Sequence, residues 1–176
     1  MSFFDLDLPE EIVACALAQG WQQPTAVQTL VIPKALEGHD ILGGAPTGTG
    51  KSAAFLLPAL ARLLTLENTL GVKVLVLEPT RELAVQVADV ASSLISAIPD
   101  APYTAATIIG GAGRDMQREQ TGTITVATPG RLLEFLRKDW FDPSTVEILV
   151  IDEADRMLDM GFRDDVASIV RELSNR

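Results

Sequence analysis

Basic side chains are in short supply. The 14 lysines and arginines face 24 aspartates and glutamates, a net charge of −10. Phosphate neutralisation dominates non-specific nucleic-acid affinity, so a general electrostatic attraction to RNA or DNA is excluded. Any phosphate contact must come from a local cluster of arginines and backbone N–H groups. Cysteine occurs once, at Cys15, which rules out an internal disulfide and fits a reducing, cytoplasmic setting. Histidine also occurs once, at His39 in a Gly-His-Asp turn. The two make no metal site; the thiol is expected to pack and the imidazole to lie at the surface. The longest apolar stretch, residues 53–66, is broken by Pro58 and Arg62. It is too short for a bilayer and predicts a buried helix, with no membrane span. The first five residues carry neither a basic region nor a small-residue cleavage site, so no secretory leader is expected.

What is present is an ordinary globular composition of 176 residues, 47% apolar and 22% charged, enough for one well-cored domain. No repeat, low-complexity tract or long linker divides it. Leu8-Pro9-Glu10-Glu11 opens a helix with acids at its positive end. Ile12, Val13, Ala16 and Leu17 give it an apolar stripe, and Gly20 stops it. A second helix is expected over 24–38. From there short apolar runs alternate with helical segments: strands at 41–44, 72–77, 104–109, 123–127 and 146–151, helices at 51–66, 81–98, 114–119 and 131–137. A last helix follows Phe162 to about Leu173, with Asp164, Asp165 and Glu172 facing solvent. This order predicts an α/β fold, a mostly parallel sheet with helices on both faces. Ligands then bind beyond the carboxyl ends of the strands, in the loops after Gly44, Leu77, Ala127 and Ile151.

Two of those loops carry recognisable chemistry. Ala45-Pro46-Thr47-Gly48-Thr49-Gly50-Lys51-Ser52 lies between a strand and a helix, as in a phosphate-binding P-loop. Its glycines let backbone N–H groups close around phosphate oxygens, and the helix N-terminus adds its dipole. Lys51 is expected to reach the β and γ phosphates and the Ser52 hydroxyl to ligate magnesium. The first position is Ala45 where the general pattern has glycine. The apolar run 148–151 ends in Asp152-Glu153. Adjacent acids at a strand end can divide the work, Asp152 facing the metal and Glu153 activating the attacking water.

Asp152-Glu153-Ala154-Asp155 followed by Arg156-Met157-Leu158-Asp159-Met160-Gly161-Phe162 resembles motif II of the DEAD-box RNA helicases. Gly20-Trp21-Gln22-Gln23-Pro24-Thr25-Ala26-Val27-Gln28 resembles their Q motif, with Trp21 where phenylalanine is common and Phe3 at the upstream aromatic position. Pro79-Thr80-Arg81-Glu82-Leu83-Ala84 resembles motif Ia, Gly110-Gly111 the glycine doublet, and Thr128-Pro129-Gly130-Arg131 motif Ib. The motifs stand in family order over nearly the whole chain. Glu78, before motif Ia, is unusual for the family and reads as a tuning residue or a solvated edge.

The resemblance implies a RecA-like ATP-binding lobe, with residues 1–38 as a Q-motif region and 39–176 as the first helicase domain. It implies that ATP and Mg2+ are bound. Gln28 would read the adenine edge, aided by Gln23, with Phe3 and Trp21 enclosing or supporting the base. Thr47, Gly48, Thr49, Gly50, Lys51 and Ser52 would hold the phosphates, and Asp155 would tie the nucleotide site to the next motif. Pro79, Thr80, Arg81, Gly110, Gly111, Thr128, Pro129, Gly130 and Arg131 would hold the RNA backbone without reading bases. The family continues into a Ser-Ala-Thr motif and a second lobe that supplies arginine fingers. Without them, weak nucleotide binding and scant hydrolysis are expected of residues 1–176. The run after the DEAD tetrapeptide looks more like a bacterial ribosome-assembly or RNA-decay member than a nuclear one. A GTPase switch is disfavoured because no Asn-Lys-x-Asp segment occurs. A pure adaptor is disfavoured by the intact Lys51, Ser52, Asp152 and Glu153.

Overall fold

The structure, a computed structural model, describes residues 1–111 and 121–174. The helix expected over 114–119 lies outside them. Two compact units are formed, one from Met1–Glu67 with Val90–Ala101, the other from Asn68–Asp89 with Pro102–Arg176.

The first unit is helical. A 3-10 turn (Phe3–Leu6) leads to α1 (Glu10–Ala18), α2 (Ala26–Leu36) and α3 (Lys51–Leu63). α1 and α2 end as glycine requires. Gly20 and Gly38 adopt φ of 80° and 81°, the left-handed region that costs a residue with a Cβ. Trp21 N then donates to Ala16 O and His39 N to Lys34 O, which satisfies carbonyls that each helix leaves open. Ile12, Val13, Cys15 and Ala16 are buried, whereas Leu17, expected on the same stripe, is 42% exposed. It stands in the last turn of α1, next to its C-terminal end at Ala18. α3 is buried along almost its whole length, as the interrupted apolar run predicts. Among the described residues no helix is long and apolar enough to cross a membrane.

The expected strand at 41–44 does not form; Ile41 is 42% exposed and Leu42 wholly so. Two apolar residues followed by two glycines gain a strand conformation only where a neighbour supplies ladder bonds and a packed face, and glycine adds backbone entropy against it.

The second unit holds a four-stranded sheet in the order β2-β3-β1-β4, every pair parallel: β1 (Val74–Leu77), β2 (Ala105–Ile108), β3 (Ile124–Ala127) and β4 (Ile148–Ile151). β1 and β3 are buried on both faces, which is why their sequences are apolar without alternation. The polar exception, Thr125, donates its hydroxyl to Gly122 O at 2.8 Å. The register is level. Leu77 stands opposite both Ala127 and Ile151, and Ala127 opposite Ile108. Just past that line the backbone bonds continue: Asp152 N to Leu77 O (3.1 Å), Glu78 N to Ala127 O (2.9 Å) and Thr128 N to Ile108 O (3.1 Å).

β1 is followed by α4 (Arg81–Ser96), β3 by α5 (Pro129–Arg137), and β4 by α6 (Ala154–Asp159) and α7 (Arg163–Ser174). Leu75, Leu77, Ile108, Leu132, Phe135 and Ile169 belong to one core, so the sheet and the α5 and α7 faces exclude water together. Two expectations fail here. Glu78 is buried at 1% exposure, not a solvated edge, because its backbone extends the β1–β3 pairing. Asp165 is half-buried, not solvent-facing, since it lies on the α7 side that approaches Gly130.

Candidate functional site

In the first unit the phosphate-loop candidates run into α3. Gly48 and Gly50 adopt φ of 82° and 88°, and Gly50 is the N-cap. The Thr49 hydroxyl donates to Pro46 O at 2.7 Å, closing the loop across its own width. Thr47 and Gly48 are exposed; Thr49, Gly50, Lys51 and Ser52 are half-buried. Lys51 opens a helix of 13 residues, so its ammonium and the Ser52 hydroxyl start where the N–H groups of the first turn have no helical partner.

Gln28 meets this loop. It is buried at 4% exposure, against the exposed helix glutamine its sequence alone would suggest. Thr25 and Gln28 form the capping box of α2, with Thr25 N donating to Gln28 Oε1 at 2.9 Å. Gln28 Nε2 donates to Gly50 O at 3.1 Å. A Cβ on Gly50 would stand 2.5 Å from that nitrogen, so any larger residue would displace the Gln28 amide in addition to straining φ. The cap was legible: a threonine followed three residues later by glutamine before an apolar run is its signature. Of the aromatic candidates, Phe3 is fully buried and can only support, while Trp21 is half-buried. Gln23 is exposed.

The second unit carries the acids. Asp152 and Glu153 are half-buried and Asp155 is exposed. Glu153 N donates to Asp152 Oδ1 at 2.9 Å, and Arg156 N to Asp155 Oδ1 at 2.9 Å. Glu153 sits at φ 50°, ψ 43° as the N-cap of α6. Left-handed backbone is tolerated by aspartate, as at Asp7, Asp100 and Asp139, but is unusual for glutamate.

Where β1, β2 and β3 end, the same unit opens a cleft of about 500 Å³. Pro79, Thr80, Arg81, Gly110, Thr128, Gly130 and Arg131 line it, which brings together most of the expected backbone-binding residues. Gly111 and Pro129 do not line it: Pro129 is buried at the first turn of α5, and Gly111 is exposed beside the Arg81 guanidinium. Thr80 Oγ1 accepts from Leu83 N at 3.3 Å as α4 starts, and Thr128 is the N-cap of α5. The mouth therefore presents two helix N-termini, two hydroxyls and two guanidiniums, a set suited to an anionic backbone. Sequence reasoning missed Glu82, Glu134, Met160 and Phe162, which line the cleft too. Glu134 had a signal, its spacing of three from Arg131 on a helix.

Among the described residues no three His, Cys, Asp or Glu side chains converge as a metal cage. Ser52 in the first unit and Asp152 in the second each carry an oxygen donor, and both are half-buried.

A family model described as DEAD/DEAH box helicase matches residues 25–176. The chain is 45% identical to the ATP-dependent RNA helicase SrmB of Escherichia coli and 46% to that of Haemophilus influenzae, each match covering 97% of this chain and 39% of the relative. It is 40% identical to the ATP-dependent RNA helicase DRS1 of Yarrowia lipolytica, over 99% of this chain and 24% of the relative. The chain thus spans about two fifths of the SrmB relatives' length. Among solved structures, a DEAD box protein from the hyperthermophile Methanococcus jannaschii superposes with a TM-score of 0.86 at 35% identity, covering 98% of this chain and 47% of that one. The RNA-helicase Prp28 from Chaetomium thermophilum bound to ADP gives 0.88 at 35%, covering 96% and 42%.

Proposed function

The chain belongs to the DEAD/DEAH box helicase family, and from that premise we propose that it is the ATP-binding lobe of an ATP-dependent RNA helicase. The whole enzyme couples ATP hydrolysis to sequence-independent RNA binding and local strand separation in the cytoplasm. The observation that carries this reading is the buried Gln28 amide bonded to Gly50 of the phosphate loop, which ties an adenine-reading group to a phosphate-binding one. Residues 1–38 act as the Q-motif region and 39–176 as the first helicase domain. The relatives are more than twice as long, room enough for a second lobe. Higher identity to the two bacterial SrmB proteins than to DRS1 supports a bacterial member of the ribosome-assembly type.

Gln28 and Gln23 read adenine, with Trp21 against the base and Phe3 beneath. The Thr47, Gly48, Thr49 and Gly50 amides and Lys51 hold the phosphates. The donor set fits Mg2+, which takes hard oxygen ligands and keeps much of its shell as water and phosphate, so that Ser52 and Asp152 suffice. Ser52 and Asp152 would hold the ion, which would supply charge neutralisation for the phosphates. Glu153 orients a water in line with the γ phosphorus and takes its proton as the new P–O bond forms and the bond to the β-phosphate oxygen breaks. Lys51 offsets the charge that develops, and ADP and phosphate leave. Asp155 links this chemistry to the following motif. Thr80, Arg81, Gly110, Gly111, Thr128, Gly130 and Arg131 grip the RNA backbone, with Pro79 and Pro129 shaping the two helix starts.

Equilibrium binding of fluorescent ADP and its guanine counterpart, with magnesium, tests the reading. Adenine preference in this chain that collapses in Gln28→Ala is expected; equal binding of both bases would leave only a generic P-loop fold. Turnover by residues 1–176 alone is expected to be slight, and brisk RNA-stimulated hydrolysis would refute that part.

A further inference from the structure

Arg131 occupies an unusual place for a phosphate ligand. It lines the cleft, yet its side chain is 10% exposed, and Nη1 has no hydrogen-bond partner among the described residues. A guanidinium cannot shed its proton to escape burial. It stays in a half-dry wall only beside a counter-charge, and otherwise swings out to water. That counter-charge is Glu134, one turn along α5, with Oε2 3.5 Å from Nη1.

Glu134 is itself steadied from the far side. Lys138 Nζ donates to its Oε1 at 3.0 Å and sits 4.5 Å from the centre of the Trp140 ring. Trp140 meets the buried Phe135 edge-on, with ring centroids 5.6 Å apart at 88°. Along one face of α5, a line of charge therefore runs from the cleft to an aromatic pair set in the core.

We propose that Glu134 is a positioning residue for RNA: its carboxylate, held by Lys138, fixes the Arg131 guanidinium in the cleft wall so that an arriving phosphate finds the fork already oriented. The inference rests on the cleft being the RNA site. An acid beside a phosphate would ordinarily repel it, but here Lys138 neutralises that acid at hydrogen-bonding distance. What the phosphate meets is an ordered arginine beside a compensated pair. Two parallel bonds from a guanidinium depend on orientation far more than a point charge does, so order outweighs the residual repulsion.

A double-mutant cycle decides the matter. Binding of a fluorescein-labelled oligouridylate, with adenine nucleotide and magnesium, is measured by anisotropy for this chain, Glu134→Gln, Arg131→Ala and the double variant, with melting curves to show that each is folded. Glu134→Gln is expected to weaken binding about fivefold to tenfold alone and to have no further effect once Arg131 is gone, because coupled residues share one loss. Glu134→Asp should recover part of it. Unchanged or tighter binding by Glu134→Gln, or equal weakening in both backgrounds, would overturn the proposal. If this chain itself does not bind the oligouridylate, the RNA reading falls and takes the inference with it. If it binds and the cycle shows no coupling, the inference alone is lost.

Discussion

Gln28 shares its amide between two elements: Nε2 donates to Gly50 O at 3.1 Å while Oε1 accepts from Thr25 N at 2.9 Å. Each contact uses one of the amide's four sites, leaving one N–H and one lone pair. That remainder is what an adenine edge requires. Gln28 is thus a cap and a loop tether in its own right, apart from the base reading proposed for it. Gln28→Ala should lower stability by about 1–2 kcal/mol through the lost cap and tether. Thermal unfolding without nucleotide checks this, and an unchanged midpoint would confine Gln28 to ligand binding.

The two left-handed loop glycines separate strain from space. Gly48→Ala meets no neighbour, so only its φ of 82° is strained, at a cost of about 1–2 kcal/mol. Gly50→Ala has φ 88° and also drives a Cβ to 2.5 Å from Gln28 Nε2. It should be the more damaging to stability. In a Gln28→Ala background its excess over Gly48→Ala should shrink, a coupling readable from denaturant midpoints; strictly additive losses would contradict the contact.

Glu153 holds left-handed backbone at φ 50° beside Asp152. Strain of this kind costs on the order of 1–3 kcal/mol and collects at working sites. Glu153→Gly should therefore melt no lower than the unchanged chain, and by relief of strain somewhat higher. In the whole enzyme it should nonetheless abolish ATP turnover. A substantial fall in melting temperature would show that Glu153 is structural first.

Cys15 is buried and donates from Sγ to Glu11 O at 3.0 Å. Desolvation is the main cause that pushes its pKa above the ordinary thiol value, with the nearby Glu11 charge adding to it. A raised folded-state pKa means that the folded form binds the proton more tightly. Its contribution is complete below the ordinary thiol pKa and is lost as pH rises through the folded value. The chain should lose stability over that alkaline window, and Cys15→Ala should flatten the dependence. Iodoacetamide should modify Cys15 quickly only once the chain is unfolded.

Much of this was legible in the sequence because local and global signals agree. The β1 and β3 runs are apolar throughout and bounded by turns, so their strands and both-sided burial follow from composition. The glycines at 20 and 38 stop helices for a reason that belongs to backbone geometry alone. Residues 41–44 misled because two β-prone residues specify a strand only where a neighbour completes the ladder. Glu78 misled because a carboxylate after a strand is usually wet, and register, not residue type, sets its burial. Within the cleft, glycines and threonines announce themselves by motif. Glu134 belongs to none of those motifs, and only its helical spacing of three from Arg131 marks it.

The three backbone bonds just beyond the strand ends join Asp152 to β1, Glu78 to β3 and Thr128 to β2. The acid and the two threonine-led helix starts therefore hang from one continuous lattice of peptide groups. No link in it depends on a side chain, and none can slide past its neighbour without breaking bonds in a largely buried sheet. This edge behaves as a single plank. A displacement at Asp152 is therefore shared through the ladder with the helix starts at Thr80 and Thr128, whatever side chains those starts carry.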